Sequence, residues 1–120
     1  MISDEGFSKI EHLLRPKDFN KVYEKGQCVK KDRVFLYILP NTVGNNRIGF
    51  SIGSRYVKLA TRRNKIRRLF REAYRHNKKN FKPSHDIVIV IKKNFEQGLT
   101  LKEIETLLLS LARTSRLLMV

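Results

Sequence analysis

Cysteine is almost missing from this 120-residue chain, and the single thiol at Cys28 excludes an internal disulfide and a paired-thiol metal site. Alone, Cys28 reads as a small, partly buried hydrophobe. Long apolar runs are missing too, since none approaches the ~20 residues that a membrane-spanning helix needs. Met1 to Gly6 is acidic and lacks the basic cluster and apolar stretch of a secretory signal, so the expected location is cytoplasmic. Repeats and low-complexity linkers are absent as well. The length fits one small domain with one core, and residues 1–13 are expected to form a flexible N-terminal segment.

Acidic side chains are scarce: 11 Asp and Glu face 26 Lys and Arg, for a net charge of +15. A hydrophobic content of 41% argues against wholesale disorder, so this charge sits on a folded chain. Self-repulsion on that scale points to a polyanionic partner. Nucleic acid, an anionic membrane and an acidic protein are the candidates. The excess is also localised. Arg47 to Lys82 carries 13 basic residues and one acid, Glu72, whereas the rest of the chain is nearly balanced. That is a footprint rather than a solubility device.

Periodicity and breakers outline the elements. Pro16 suits a helix start, Phe19, Val22 and Tyr23 recur at helical spacing, and Gly26 is a stop. Val34 to Leu39 reads as a strand, closed by Pro40 and a polar loop in a hairpin-like connection to the next strand. In Arg47 to Gly53, Ile48, Phe50 and Ile52 alternate with Gly49, Ser51 and Gly53. Lys58 to Lys79 reads as one long helix ended by Pro83, and Asp86 to Ile91 as a buried strand. Asn94 to Thr100 is a loop. Thr100 and Glu103 then form a capping box before a Leu-rich helix over Leu101 to Leu117. The order αββαβα predicts an α/β sandwich with a βαβ unit around the basic helix.

Rotating that helix by 100° per residue separates two stripes. Leu59, Ile66, Leu69, Phe70 and Ala73 fall on one side. Asn64, Arg67, Arg68, Arg71, Arg75 and Lys78 fall within an arc of roughly 100° on the other. A solvated helix face normally intersperses Glu with Lys at i,i+4, whereas here Arg67, Arg71 and Arg75 stack like charges. Guanidinium forks match phosphate oxygens, which points to a polyphosphate backbone. No pair of short helices joined by a tight turn is present, so a DNA-reading helix-turn-helix is not expected. Phe19 and Tyr23 share a helix face, and Phe35 and Tyr37 share a strand face next to the bulk-free Gly49, Ser51 and Gly53. Such a floor, rimmed by Arg55 and lysines, suits a single RNA strand with splayed bases. Core packing is the competing reading for Phe19, Tyr23 and Tyr37, and the favoured one for Phe35.

Catalytic signals are absent. His12, His76 and His85 are scattered with no metal-ligand spacing, and no acids pair for two-metal hydrolysis. His76 on the basic helix is expected at a phosphate or in solvent, and His85 at the surface. No catalytic residue is assigned, which disfavours a metal-dependent nuclease acting alone.

The stretch RIGFSIGSRYVKLATRRNKIRRLFREAY resembles the RNR-motif region of the bacterial ribonuclease P protein subunit, and KDFNKVYEKG resembles that family's first helix. The specific core is Ala60, Arg63, Asn64, Lys65, Ile66, Arg67 and Arg68, and the resemblance covers about residues 14 to 117. Lys65 stands where members usually carry Arg, and Ser54 where many carry Lys. The resemblance implies a fold of the ribosomal protein S5 domain 2-like class, with a left-handed βαβ crossover. It implies a catalytic RNA partner contacted by Arg62, Arg63, Asn64, Lys65, Arg67, Arg68, Arg71 and Arg75. It also implies a cleft for the 5′ leader of precursor tRNA at Phe19, Tyr23, Tyr37, Ser51 and Arg55, and cleavage by Mg²⁺ held mainly by RNA phosphates. A ribosomal or rRNA-assembly protein, a pure binding module, would explain the charge equally well but not the groove.

Overall fold

The computed structural model describes residues 15–92 and 100–119. The expectations for residues 1–13, for His12 and for the loop before Thr100 lie outside them. Helix α1 spans Pro16–Lys25, with Pro at its first position. The Asp18 carboxylate accepts the Arg15 backbone N–H at 3.0 Å, which satisfies one donor at the helix start. Strands β1 (Gln27–Lys31), β2 (Val34–Pro40) and β3 (Arg47–Ile52) follow, then α2 (Ala60–Asn77) with a 3₁₀ turn at Lys78–Asn80. Strand β4 (His85–Ile91) and α3 (Leu101–Thr114) complete the described chain. The α/β class holds, but the order is αβββαβα.

Strand β1 is the element that the sequence pattern missed. Its residues are mostly exposed on both faces, so no alternation marks them. It pairs antiparallel with β2 through a two-residue turn in which Asp32 takes a positive φ of 57°. The expected hairpin-like link from β2 to β3 is also corrected. The sheet order is β1-β2-β4-β3, so β4 lies between them. The reason is burial: six of the seven β4 residues are buried, and only a central strand covered on both faces can hide such a run. Strand β4 is antiparallel to β2 and parallel to β3, and α2 spans the β3–β4 crossover.

The two faces of the sheet are covered unequally. On one, Leu36, Ile87 and Ile91 pack with Phe70 of α2 and Ile104, Leu108 and Leu111 of α3 into the main core. On the other, Val22 of α1 meets Val88 and Val90 in a small cluster flanked by half-buried Phe19, Phe35 and Tyr37. The ten residues of α1 thus cover only part of this face. Several boundaries move from expectation. Leu59 precedes α2 as its N-cap, 63% exposed, because Val57 fills the core position instead. The Thr100–Glu103 capping box forms as expected. Helix α3 ends at Thr114 rather than Leu117, where Arg116 turns with a φ of 63° and buried Leu117 accepts the Lys82 N–H at 2.8 Å.

Gly26 closes α1 where the helix presses on β2. A Cβ there would lie 2.5 Å from the Val22 carbonyl oxygen and 2.6 Å from that of Ile38, both backbone atoms. Gly26→Ala is therefore expected to destabilise the fold by roughly 1–3 kcal/mol, as overpacking does. A urea unfolding midpoint unchanged from the parent would refute this.

Candidate nucleic-acid interface

The uncrowded sheet face forms the floor of a cleft. Register places Tyr37, Val88 and Gly49 in one row and Phe35, Val90 and Ser51 in the next. Helix α1 is the wall: the Phe19 and Tyr23 rings are 6.4 Å apart, and Tyr23 meets Tyr37 edge-on at 5.0 Å. The cleft has a volume of about 470 Å³ and is lined by Tyr23, Tyr37, Ser51, Gly53, Tyr56 and Lys92, among others. Tyr23, Tyr37 and Ser51 thus come together as expected. Phe19 packs at the rear of the wall on the Val22 cluster. Arg55 is exposed on the turn after β3.

Two residues here, Tyr56 and Lys92, escaped the sequence reading, and a third, Phe35, is shared between core and cleft face. Phe35, expected in the core, lies half-buried on the cleft face, with Lys30 and Lys92 ammonium groups 5.8 Å and 5.0 Å from its ring centre. It shares the strand face of Tyr37, as its alternation predicts, and packs on the Val88–Val90 cluster. Tyr56 has no periodic context; it reaches the cleft because the Tyr56 and Val57 N–H groups both donate to the Gly53 carbonyl at 3.0 Å, folding the chain back. Lys92 follows the last buried residue of β4 and also approaches Tyr37, at 6.0 Å. Cys28 corrects in the opposite direction: it is exposed, on edge strand β1 opposite Tyr37.

Beyond Tyr56 the chain enters α2, whose buried stripe is Ile66, Phe70, Ala73 and Tyr74. The cationic residues of this helix are not equivalent. Asn64, Lys65 and Arg68 are exposed, and Arg62 is half-buried at the first turn. Arg63 donates to the Val57 and Lys58 carbonyls at 2.9 and 3.0 Å, which fixes the segment joining cleft to helix. Arg67 donates to Asn64 Oδ1 at 2.9 Å. Arg75 ion-pairs with Glu72, a hydrogen bond that holds the Glu72 carboxyl below its ordinary pKa. His76 sits 3.4 Å from Glu72 and 3.8 Å from Glu105, so its neighbours are acids. Arg47, counted in the basic footprint, is occupied elsewhere by Asp86 and Asp18.

Arg71 is the exception among them. Its guanidinium carbon lies 5.3 Å from the centre of the Phe50 ring, and its buried Nε has no hydrogen-bond partner. Burial, reinforced by the charge of Arg67, lowers its pKa from the usual arginine value. The side chain is held in place by a ring, not by an acid. This leaves a fixed fork able to meet an anion.

Fold and site define a small basic α/β protein in which an aromatic cleft adjoins a cationic helix. The comparisons with known proteins agree on what that is. The family model for ribonuclease P matches residues 7–115. The ribonuclease P protein component of Alkaliphilus metalliredigens is 39% identical over 106 residues, covering 88% of this chain and 94% of the relative. That of Clostridioides difficile is 35% identical over 100 residues, covering 82% and 86%. Among solved structures, the RNase P protein from Thermotoga maritima aligns with a TM-score of 0.73 at 29% identity, over 86% of this chain and 96% of that one. The Staphylococcus aureus RNase P protein has the same fold, with a TM-score of 0.79 at 23% identity over 91% and 98%. The chain belongs to the ribonuclease P protein family.

The Arg71 geometry has a measurable cost in the free protein. An orphaned buried donor costs about 1–3 kcal/mol, against roughly 0.5–1 kcal/mol returned by the ring. Arg71→Met should stabilise the free protein by about 1 kcal/mol. Urea unfolding checks this, and destabilisation by the substitution would contradict the assignment.

Proposed function

We propose that this chain is the protein subunit of a ribonuclease P holoenzyme, in which it binds the catalytic RNA through α2 and the 5′ leader of precursor tRNA in the aromatic cleft. The observation that carries the reading is the adjacency of two different surfaces on one rigid frame. The helix offers guanidinium forks and a point-charge lysine, chemistry suited to the phosphates of a folded RNA. The cleft offers ring faces and edges with lysines at one end, chemistry suited to unpaired bases and their backbone. A purely ribosomal binding module has no need of the second surface.

The protein's part is affinity, substrate choice and charge neutralisation. Among the described residues, no group of three His, Cys, Asp or Glu stands together to hold a metal ion. The cationic helix would repel a divalent ion besides. Among the described residues, the side chains gathered on α2 and in the cleft are not a set suited to hold Mg²⁺. In this reading endonucleolytic removal of the leader belongs to the RNA subunit, with its Mg²⁺ held by RNA phosphates. No helix among the described residues is long and apolar enough to cross a membrane.

A leader-length series on the reconstituted holoenzyme tests the cleft. Affinity for precursor over mature tRNA should fall as the leader is shortened, and an advantage that survives with no leader would refute the cleft assignment. In the same assay Tyr37→Ala should reduce the advantage by about 1–3 kcal/mol, the worth of one stacked base, while assembly with the RNA subunit is retained.

The helix is tested by salt. Replacing Arg67 and Arg71 with Ala should lower the slope of log affinity against log salt by about one unit for each phosphate that is no longer neutralised. An unchanged slope would remove that face from the interface.

A further inference from the structure

Helix α1 is fastened to the sheet differently at its two ends. Its C-terminal end is fixed sterically, since Gly26 presses on the Ile38 carbonyl and the chain continues directly into β1. Its middle is held by Val22, fully buried against Val88 and Val90. Its N-terminal end is held by charge. Arg47 makes a bidentate pair with Asp86, Nε to Oδ1 and Nη2 to Oδ2 both at 2.8 Å, and the same Nη2 lies 3.8 Å from Asp18 Oδ1. Asn41 donates to Asp86 Oδ1 at 2.8 Å, so the acceptor is itself secured. The three charged side chains are largely buried, 18%, 5% and 12% exposed for Arg47, Asp86 and Asp18.

The links in this chain are unequal. The Arg47–Asp86 pair joins neighbouring strands and is rigid. The Asp18 link crosses from helix to sheet and is longer than a hydrogen bond, so it is a purely electrostatic hold that tolerates movement. Asp18 precedes Phe19 and lies one turn and a residue before Tyr23, the two rings of the cleft wall. A swing of the N-terminal end of α1 about the fixed Val22–Gly26 segment would therefore shift the Phe19 ring, 6.4 Å from Tyr23, relative to the sheet floor and so change the shape of the cleft wall.

We infer that the Asp18–Arg47 contact is a tether that sets the aperture of the aromatic cleft, making Asp18 and Arg47 positioning residues for the single-stranded ligand. This rests on the proposed binding of the leader in that cleft. It assigns the strength of binding partly to two residues that touch no base. Removing the tether would leave α1 attached by Val22 and Gly26, folded but free to swing at its N-terminal end.

Asp18→Asn is the informative variant, because the amide oxygen can still accept the Arg15 N–H while the charge facing Arg47 is gone. Arg47→Lys is the second, keeping one charge but losing the fork that reaches both acids. Holoenzyme affinity is measured for precursor tRNA with and without its leader. For both variants the leader-dependent ratio should drop roughly three- to ten-fold, the scale of a single modest interaction. Affinity for leaderless tRNA and for the RNA subunit should stay within about two-fold of the parent. Asp18→Glu, whose longer carboxylate still reaches Arg47, should restore the ratio.

An independent readout uses nitroxide labels on Cys28 and on an exposed Lys21→Cys, whose distance distribution should broaden in Asp18→Asn. A parent holoenzyme with no leader dependence would defeat the cleft reading itself. A normal parent with variants of unchanged ratio would overturn the tether alone. Equal losses for all three ligands would also overturn it, by showing a general folding defect.

Discussion

An apolar strand that must be hidden on both faces organises this molecule. The Ile-Val run of β4 cannot sit at a sheet edge without exposing one of its sides, so it takes the centre and displaces β3 from β2. Two consequences follow for the surface. The face toward Ile87, Ile89 and Ile91 needs two helices to cover it, and these are α2 and α3. The face toward Val88 and Val90 has smaller side chains and neighbours Gly49 and Ser51, so a single short helix covers what must be dry. The remaining strip of floor is left open, and it is there that the tyrosines gather.

The charge distribution builds on this frame. A net +15 would be a uniform burden if it were spread evenly. Instead, acids are used sparingly where geometry is critical. Asp18 and Asp86 hold Arg47, Glu72 holds Arg75, and Glu105 accepts a hydrogen bond from Asn77 that ties α2 to α3. Lys58, Lys65 and Arg68 are exposed toward the first turns of α2. Asp18 illustrates the balance within such a contact. Burial alone would raise its pKa, but the Arg15 N–H and the charges of Arg47 and Arg15 outweigh it and leave the carboxyl below its ordinary value.

Much of this was legible in the sequence where one face of an element is apolar and the other is not. The stripe of α2, the alternation of β3, the α1 stop at Gly26 and the Thr100 capping box all follow from local chemistry. What failed was of a different kind. Strand β1 is exposed on both faces and carries no pattern; the adjacency of β2 and β4 is a long-range choice that neither segment encodes alone. Phe35 packs on the core cluster as favoured, but the two lysines over its ring could not be foreseen, because hydrophobicity does not say how far a ring is covered. Arg47 and Arg75 counted as cations for a partner, and only the folded geometry reveals the acids that already hold them. Tyr56 and Lys92 join the cleft through a turn and a strand end, where periodicity has nothing to report.

The central place of β4 also shapes how the chain reaches this structure. Its partners β2 and β3 precede it in sequence, and the pairs Leu36↔Ile89 and Phe50↔Ile89 each close a long loop. Until those loops close, β3 has no strand to pair with and the Ile-Val run is bare. Topologies dominated by such distant pairings fold more slowly than local ones, and a bare β-branched run is a segment prone to join other chains. Asp86 before the run and Lys92 after it are charges of the kind that discourage such joining. In the finished protein Lys92 lines the cleft while Asp86 is buried in its pair with Arg47, so the charges that guard the run during assembly end in two different structural duties.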